Sequence, residues 1–196
     1  MKNILMVEFH QPEFDILRRE IGRCFVINAY HACITLTNHL LERYCKILLI
    51  SFESGFKTIV ELESLESIFE AANKKYLKAD LNETLNACRT LGLITKEERK
   101  EFDVYRETFR NGFGHADPTK ILGDSKGGFM LGSFNGNKES EFQELTYSKV
   151  PLLHGLAVES FSKVNALPYF IAVENLIRKT IHKIQPDDAK VEYELI

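Results

Sequence analysis

The chain has 196 residues and a mass of 22.5 kDa, which is the size of one domain. Its 25 Lys and Arg residues against 28 Asp and Glu residues give a formal charge of −3. This charge excludes a general electrostatic attraction to nucleic acid or anionic lipid, so any such contact requires a local site. Hydrophobic residues make up 44% of the chain and charged residues 27%, a balance that excludes wholesale disorder.

The cysteines and the start of the chain exclude several further classes. No two of the four cysteines form a C-x-x-C pair, which argues against a zinc knuckle or a thioredoxin-type centre. The apolar run at residues 4–7 is too short for a secretory signal. Residues 24–41 lack Asp, Glu, Lys and Arg, but they contain several polar side chains that would need partners in lipid. We therefore expect a soluble, cytoplasmic protein without a membrane segment.

The first helical pattern begins at Pro12, a residue suited to a first helical turn. Apolar residues then recur every three or four positions, which predicts one long helix that ends at Ser54-Gly55. If it is unbroken over residues 13–50, that part would be about 57 Å long, and Gly22 can bend it. Asn28, His31 and Asn38 interrupt the apolar face, which indicates buried hydrogen bonds or an interface there.

The middle of the chain predicts three further helices. The first covers residues 64–76, and the second ends near Gly92, a glycine suited to a helix C-terminus. The third leads to Arg110. The second and third begin with capping-box patterns, Asp80 with Glu83 and Thr95 with Glu98.

A change in composition follows, because seven of the eleven glycines fall within residues 112–136. Residues 128–134 and 141–147 are predicted to form two short strands. A helical pattern returns at Pro151, and Pro168 is expected to kink or restart that helix. The sequence thus predicts a single domain over residues 1–196, a mainly α antiparallel helical bundle with a small β-hairpin insertion around residues 128–147.

One hexapeptide combines groups that suit phosphate chemistry: Arg110-Asn111-Gly112-Phe113-Gly114-His115. The Arg guanidinium is a permanent cation that fits a phosphate bidentately. The His imidazole transfers protons near neutral pH, and the Asn side chain adds a neutral donor and acceptor. On a regular helix Arg110 and His115 would lie about 140° apart, although the glycines allow a distorted turn.

The same hexapeptide also has a purely structural interpretation. Arg110 would then end its helix as a cation at the negative end of the helix dipole. The glycines would be ordinary loop residues, and His115 would be a surface residue.

The spacing Arg110-Asn111-x-x-x-His115 resembles the R-N-x-x-x-H signature of HEPN-domain proteins. The capped helix before the motif and the early helix with Leu40-Leu41-Glu42-Arg43 are also similar to that family. Many toxin members have a Tyr two residues after the His, where this chain has Asp117. The resemblance implies an all-α bundle that dimerises and brings two copies of the motif together, and it implies a metal-independent endoribonuclease.

The same resemblance implies roles for the motif residues. His115 would be the general acid or base, Arg110 would stabilise the phosphorane-like transition state, and Asn111 would orient a phosphate oxygen or the imidazole. Arg106 is a candidate RNA contact, but Asp103 at i−3 is suitably spaced to hold it in an ion pair. The implied partners are RNA, a second copy of the chain and an antitoxin protein.

Other candidate sites have weaker patterns. His39 and Glu42 have a metal-compatible spacing without a suitable second pair, so we expect no metal or other cofactor. Ser125 matches G-x-S-x-G, but its polar loop context favours a turn residue. Two alternatives to the nuclease remain, namely a non-catalytic HEPN-fold protein that binds RNA or nucleotides or acts as a scaffold, and a dimerisation module with a chance motif.

Overall fold

The computed structural model describes residues 5–55, 65–131, 141–185 and 193–196. Seven helices and two strands lie within these ranges: α1 Pro12–Val26, α2 Tyr30–Ser54, α3 Leu65–Tyr76, α4 Leu81–Thr90, α5 Lys96–Tyr105, α6 Pro118–Leu122, β1 Lys126–Leu131, β2 Glu141–Thr146 and α7 Pro151–Thr180. A π-helical segment, Arg106–Asn111, and a short helical turn, Gly112–Gly114, connect α5 to α6.

The predicted fold class is confirmed, because the chain forms a mainly α-helical bundle with a two-stranded antiparallel sheet. Helix α2 is the centre of the bundle and packs against α1, α3, α4 and α7. Its inward residues are fully buried, including Leu41, Tyr44 and Leu48. Within the described ranges, no helix combines the length and apolar character that crossing a membrane requires.

The prediction of one helix over residues 13–50 is wrong, because the chain breaks between α1 and α2. Asn28 has a left-handed backbone with φ of 58°. Its N–H donates to the Phe25 carbonyl at 3.1 Å, and the Ala29 N–H donates to the Cys24 carbonyl at 2.8 Å. These two bonds form a Schellman motif, in which Asn replaces the more usual glycine. Gly22 lies within α1, which runs through it.

Both predicted capping boxes are confirmed. The Asp80 and Thr95 side chains accept from the backbone N–H three residues later, and Glu83 and Glu98 return the bond. Glu98 also accepts two hydrogen bonds from Lys179 of α7, each of 2.7 Å. The start of α5 is therefore fixed both locally and against the last helix.

The β-hairpin is confirmed with shifted bounds. The first strand covers 126–131 rather than 128–134, and the register runs from Lys126 opposite Thr146 to Leu131 opposite Glu141. Residues 132–140, which include the end of that predicted strand, lie outside the described residues. Of the two alternatives expected at Pro168, a kink or a restart, the restart is wrong, since α7 continues through it.

A buried ionic network joins α1 to α7. Arg18, which is 2% exposed, binds both carboxylate oxygens of the fully buried Glu174. It also donates to Asp15 at 2.8 Å and to the Val7 carbonyl at 2.7 Å. Burial raises the pKa of the Glu174 carboxyl, and the paired guanidinium opposes that shift. The network joins the two helices through paired charges, and the Phe9 ring packs on the Arg18 guanidinium with its centroid 4.2 Å away.

Candidate functional site

The motif lies where the helix that begins at Thr95 changes its winding. Helix α5 ends at Tyr105, and the next six residues, Arg106–Asn111, form a π-helical segment. In a π-helix each turn closes over five residues instead of four, so the side chains after it are rotated relative to a regular α-helix. The regular helix predicted as far as Arg110 is therefore interrupted in the turn that carries the first motif residue.

Asn38 of α2 fixes the π-helical segment in place. Its side-chain Nδ2 donates to the Phe109 carbonyl at 3.0 Å, and its Oδ1 accepts from the Tyr169 hydroxyl of α7 at 2.8 Å. The hydrogen bonds predicted for this face are confirmed at Asn38, which is partly buried, whereas Asn28 and His31 are exposed, so the prediction of buried hydrogen bonds is wrong for those two residues. The Asn38 amide therefore joins α2 both to the π-helical segment and to α7.

The backbone from Gly112 to Asp117 forms a tight turn that leads into α6. A Cβ on Gly112 would come within 2.8 Å of the Ile121 side chain, so glycine allows the close approach of α6. Ala116 has a left-handed backbone with φ of 50°, a conformation that costs a non-glycine residue about 1–2 kcal/mol. Asp117 then caps α6 by accepting from the Thr119 N–H at 3.0 Å. These contacts define the backbone on both sides of His115.

Arg110 and His115 line one cleft of about 320 Å³, which we call the motif cleft. The structure thereby brings together the two side chains that a regular helix would separate. Helix α2 forms the facing wall with four polar residues, and the whole lining consists of Thr35, Asn38, His39, Glu42, Arg110, Gly114 and His115. His39 and His115 are both exposed to solvent.

The remaining predicted site residues face a different surface. Asn111 donates to Glu107 at 3.1 Å and accepts from Arg110 at 3.4 Å. It lines a smaller cavity of about 140 Å³, together with Arg106 and Arg110. The guanidinium of Arg110 is therefore the group that the two cavities share.

The predicted ion pair of Arg106 is confirmed. Its guanidinium donates two hydrogen bonds to Asp103, of 2.9 and 3.0 Å, and also contacts Glu107. These bonds lower the pKa of the Asp103 carboxyl. The Arg106 guanidinium is thus held by two carboxylates on the helix surface. A phosphate that binds it would have to compete with both.

Arg110 is held more loosely. Among the residues that the structure describes, its nearest carboxylate oxygen belongs to Glu42 at 3.9 Å, and Glu42 also pairs with Lys46 at 3.2 Å. The Arg110 side chain is 39% exposed. An exposed pair at this distance contributes little binding energy, so the guanidinium is available to an anion that enters the motif cleft.

An apolar cavity of about 560 Å³ lies beside the motif cleft, and Phe113 forms part of its wall. The His31 ring packs edge-on against Phe113, with centroids 4.6 Å apart. His31 lies one turn before Thr35 of the motif cleft, so a single face of α2 borders both spaces.

Sequence reasoning missed the contribution of α2 to the site. His39 and Glu42 were candidates only for a metal site, and the structure places both in the motif cleft. The available signal was the i, i+4, i+7 spacing of Thr35, His39 and Glu42, which puts three polar residues on one helix face. In the ranges that the structure describes, no group of three His, Cys, Asp or Glu side chains is arranged to hold a metal ion.

Comparison with protein-family models, curated proteins and solved structures finds no match to the chain.

Proposed function

We propose that the chain is a metal-independent endoribonuclease of the HEPN type and that its reaction takes place in the motif cleft. The observation that supports this most is the shared cleft of Arg110 and His115. A cation that matches phosphate and a side chain that transfers protons are the two groups that RNA cleavage without a metal requires. Both are accessible, and the surrounding hydrogen bonds fix the backbone that carries them.

The reaction we propose is an internal transesterification. The ribose 2′ oxygen attacks the adjacent phosphorus and loses its proton to a base, while the bond from phosphorus to the 5′ oxygen breaks and that oxygen gains a proton. The products are a 2′,3′-cyclic phosphate and a free 5′-hydroxyl. His115 carries out one of the proton transfers, and Arg110 stabilises the added negative charge on the phosphorane-like transition state.

The position of Asn111 gives it an indirect role in this proposal. Its Oδ1 accepts from the Arg110 guanidinium at 3.4 Å, and its amide is held by Glu107. Through this bond it would orient the guanidinium. Arg106 borders the same smaller cavity, where it would contact the RNA chain beyond the cleaved phosphate.

The proposal includes the partners that the resemblance implies. The substrate is RNA, the chain forms a twofold homodimer with residues 110–115 at its interface, and an antitoxin protein covers the site in the cytoplasm. Between Lys96 and Lys120 there are equal numbers of basic and acidic residues. Because RNA affinity depends on local positive charge, a second copy would enlarge an otherwise small cationic surface.

The experiment is cleavage of an end-labelled, mixed-sequence RNA by the wild type and by two variants. His115→Ala should lose about 10²–10⁴-fold in rate, the usual contribution of a positioned acid–base group. Arg110→Ala should lose both RNA affinity and rate, because its charge acts in the ground state and in the transition state. Wild-type cleavage should continue in EDTA.

A matched control is Arg19→Ala, since Arg19 is also an exposed arginine, 52% accessible, with a carboxylate oxygen of Glu8 at 3.7 Å. It should cleave like the wild type, and circular dichroism should show that all variants fold. Equal cleavage by the wild type and folded His115→Ala would end the catalytic claim. RNA binding without cleavage by the wild type, weakened by Arg110→Ala, would instead favour the non-catalytic binding protein.

A further inference from the structure

The wall of the motif cleft that α2 provides is held in a fixed orientation. Asn38 is hydrogen-bonded to the Phe109 carbonyl and to Tyr169, so α2 cannot turn about its axis relative to the motif. The next residue, His39, lines the motif cleft together with Arg110 and His115. The Asn38 anchor therefore fixes the part of α2 from which the His39 side chain extends.

The proposed reaction needs two proton transfers at two different oxygens. One group must accept the proton of the 2′-hydroxyl, and another must donate a proton to the leaving 5′ oxygen. The two oxygens lie on opposite sides of the phosphorus, in line with each other. His115 can be near one of them, and the motif contains no second group that titrates near neutral pH.

We propose that His39 is a second catalytic residue of the motif cleft and that it protonates the leaving 5′ oxygen while His115 accepts the 2′ proton. This inference rests on the proposed function. When the step ends, His39 is neutral and His115 is protonated, so the protons balance without water or a metal ion. The exchange of one proton with solvent restores both side chains.

The two imidazoles have different charged neighbours. Glu42 lies three residues after His39 on α2, and Arg110 lies five residues before His115, and all four residues line the same cleft. The charged groups lining the cleft from α2 and from the motif are Glu42 and Arg110, and they pair only loosely at 3.9 Å.

The placement of His39 also changes what a dimer is needed for. The motif alone gives one Arg and one His per chain, which makes a second copy the obvious source of another acid or base. With His39 in the motif cleft, one chain holds the guanidinium and both imidazoles. A dimer would then enlarge the RNA-binding surface rather than complete the chemistry.

The test compares three variants with the same substitution, His39→Asn, His115→Asn and the control His10→Asn. His10 is exposed and has a left-handed backbone, φ 56°, which Asn tolerates. Each variant is assayed on ordinary RNA and on RNA whose leaving 5′ oxygen is replaced by sulfur. Sulfur leaves as a thiolate and needs no proton, because thiols are far more acidic than alcohols.

On ordinary RNA, His39→Asn should lose about 10²–10⁴-fold in rate, as expected for a general acid. On the sulfur substrate it should recover to near the wild-type rate, whereas His115→Asn should stay slow and His10→Asn should match the wild type throughout. Equal loss by His39→Asn on both substrates, or no loss on either, would overturn the role proposed for His39. A wild type without activity would overturn the proposed function itself.

A mixing experiment tests whether both histidines act within one chain. Equal amounts of His39→Asn and His115→Asn are combined under conditions that allow subunits to exchange. No activity should return, because every chain lacks one of the two groups. Recovery of a substantial part of the wild-type rate would show that the histidines act across chains and would contradict a complete site in one chain.

Discussion

Arg18 and Arg110 carry the same guanidinium in opposite environments. Arg18 is 2% exposed and binds Glu174, Asp15 and a backbone carbonyl, whereas Arg110 is 39% exposed and its nearest carboxylate oxygen among the described residues is 3.9 Å away. A buried charge must be fully paired to be tolerated, while an exposed one can stay loosely paired at little cost. The comparison separates a cation that supports the fold from one that stays accessible to solvent.

The largest expected effect comes from replacing each arginine by methionine. Arg18→Met leaves the buried Glu174 carboxylate without its main partner and should reduce the free energy of unfolding by about 3–5 kcal/mol. Arg110→Met changes an exposed side chain and should stay within about 0.5 kcal/mol of the wild type. Urea unfolding of the two variants measures both values.

The RNA-cleavage assay of the same two proteins should give the reverse order. Arg110→Met should lose activity while fully folded, and Arg18→Met should keep activity at temperatures where it remains folded. Similar losses of stability at the two positions would contradict the distinction between a structural and a functional arginine.

A smaller effect on stability is expected at Glu98, which forms an ion pair with Lys179. The two side chains are 29% and 35% exposed, so the pair is less buried than Arg18 and less exposed than Arg110. Burial raises the pKa of the Glu98 carboxyl, but hydrogen bonds from Lys179 and from the Thr95 backbone outweigh it, so the pKa lies below its usual value. A lowered pKa contributes stability above the unfolded-state value, about 4.3, and that stability is lost as the pH falls through the folded-state value.

Glu98→Gln keeps the capping hydrogen bond but removes the charge. It should cost about 0.5–1 kcal/mol at pH 7, and the difference from the wild type should shrink as the pH falls below about 4. Urea unfolding at a series of pH values measures it, with the exposed neighbour in Glu97→Gln as the control. A difference that is constant or grows toward acid pH would show that the ion pair is not its source.

The parts of the fold predicted correctly depend on local sequence. The capping boxes at Asp80 and Thr95 are complete within four residues, and the ion pair of Arg106 with Asp103 spans one helical turn. The break at Asn28 was missed because apolar residues keep a helical period on both sides of it. Three residues, 27–29, separate α1 from α2, and the left-handed one among them is Asn28.

The site itself depends on contacts that local patterns do not contain. Asn38 is 71 residues from Phe109, and Arg18 is 156 residues from Glu174. The motif residues could be identified from spacing, but the π-helical segment that presents Arg110, and the α2 wall that adds His39, require the packed structure. Sequence therefore indicated which residues have the right chemistry, and the packing decides which of them share a cleft.

The chemistry of the motif cleft is tested most directly by the ribose 2′-hydroxyl. A mixed-sequence RNA and its fully 2′-O-methylated copy are incubated with the wild type, and the ends of the products are analysed. The proposed reaction predicts cleavage of the first substrate alone, with 2′,3′-cyclic phosphate and 5′-hydroxyl ends, because the 2′ oxygen is the nucleophile. Cleavage of the methylated copy, or products with 5′-phosphate ends, would contradict it.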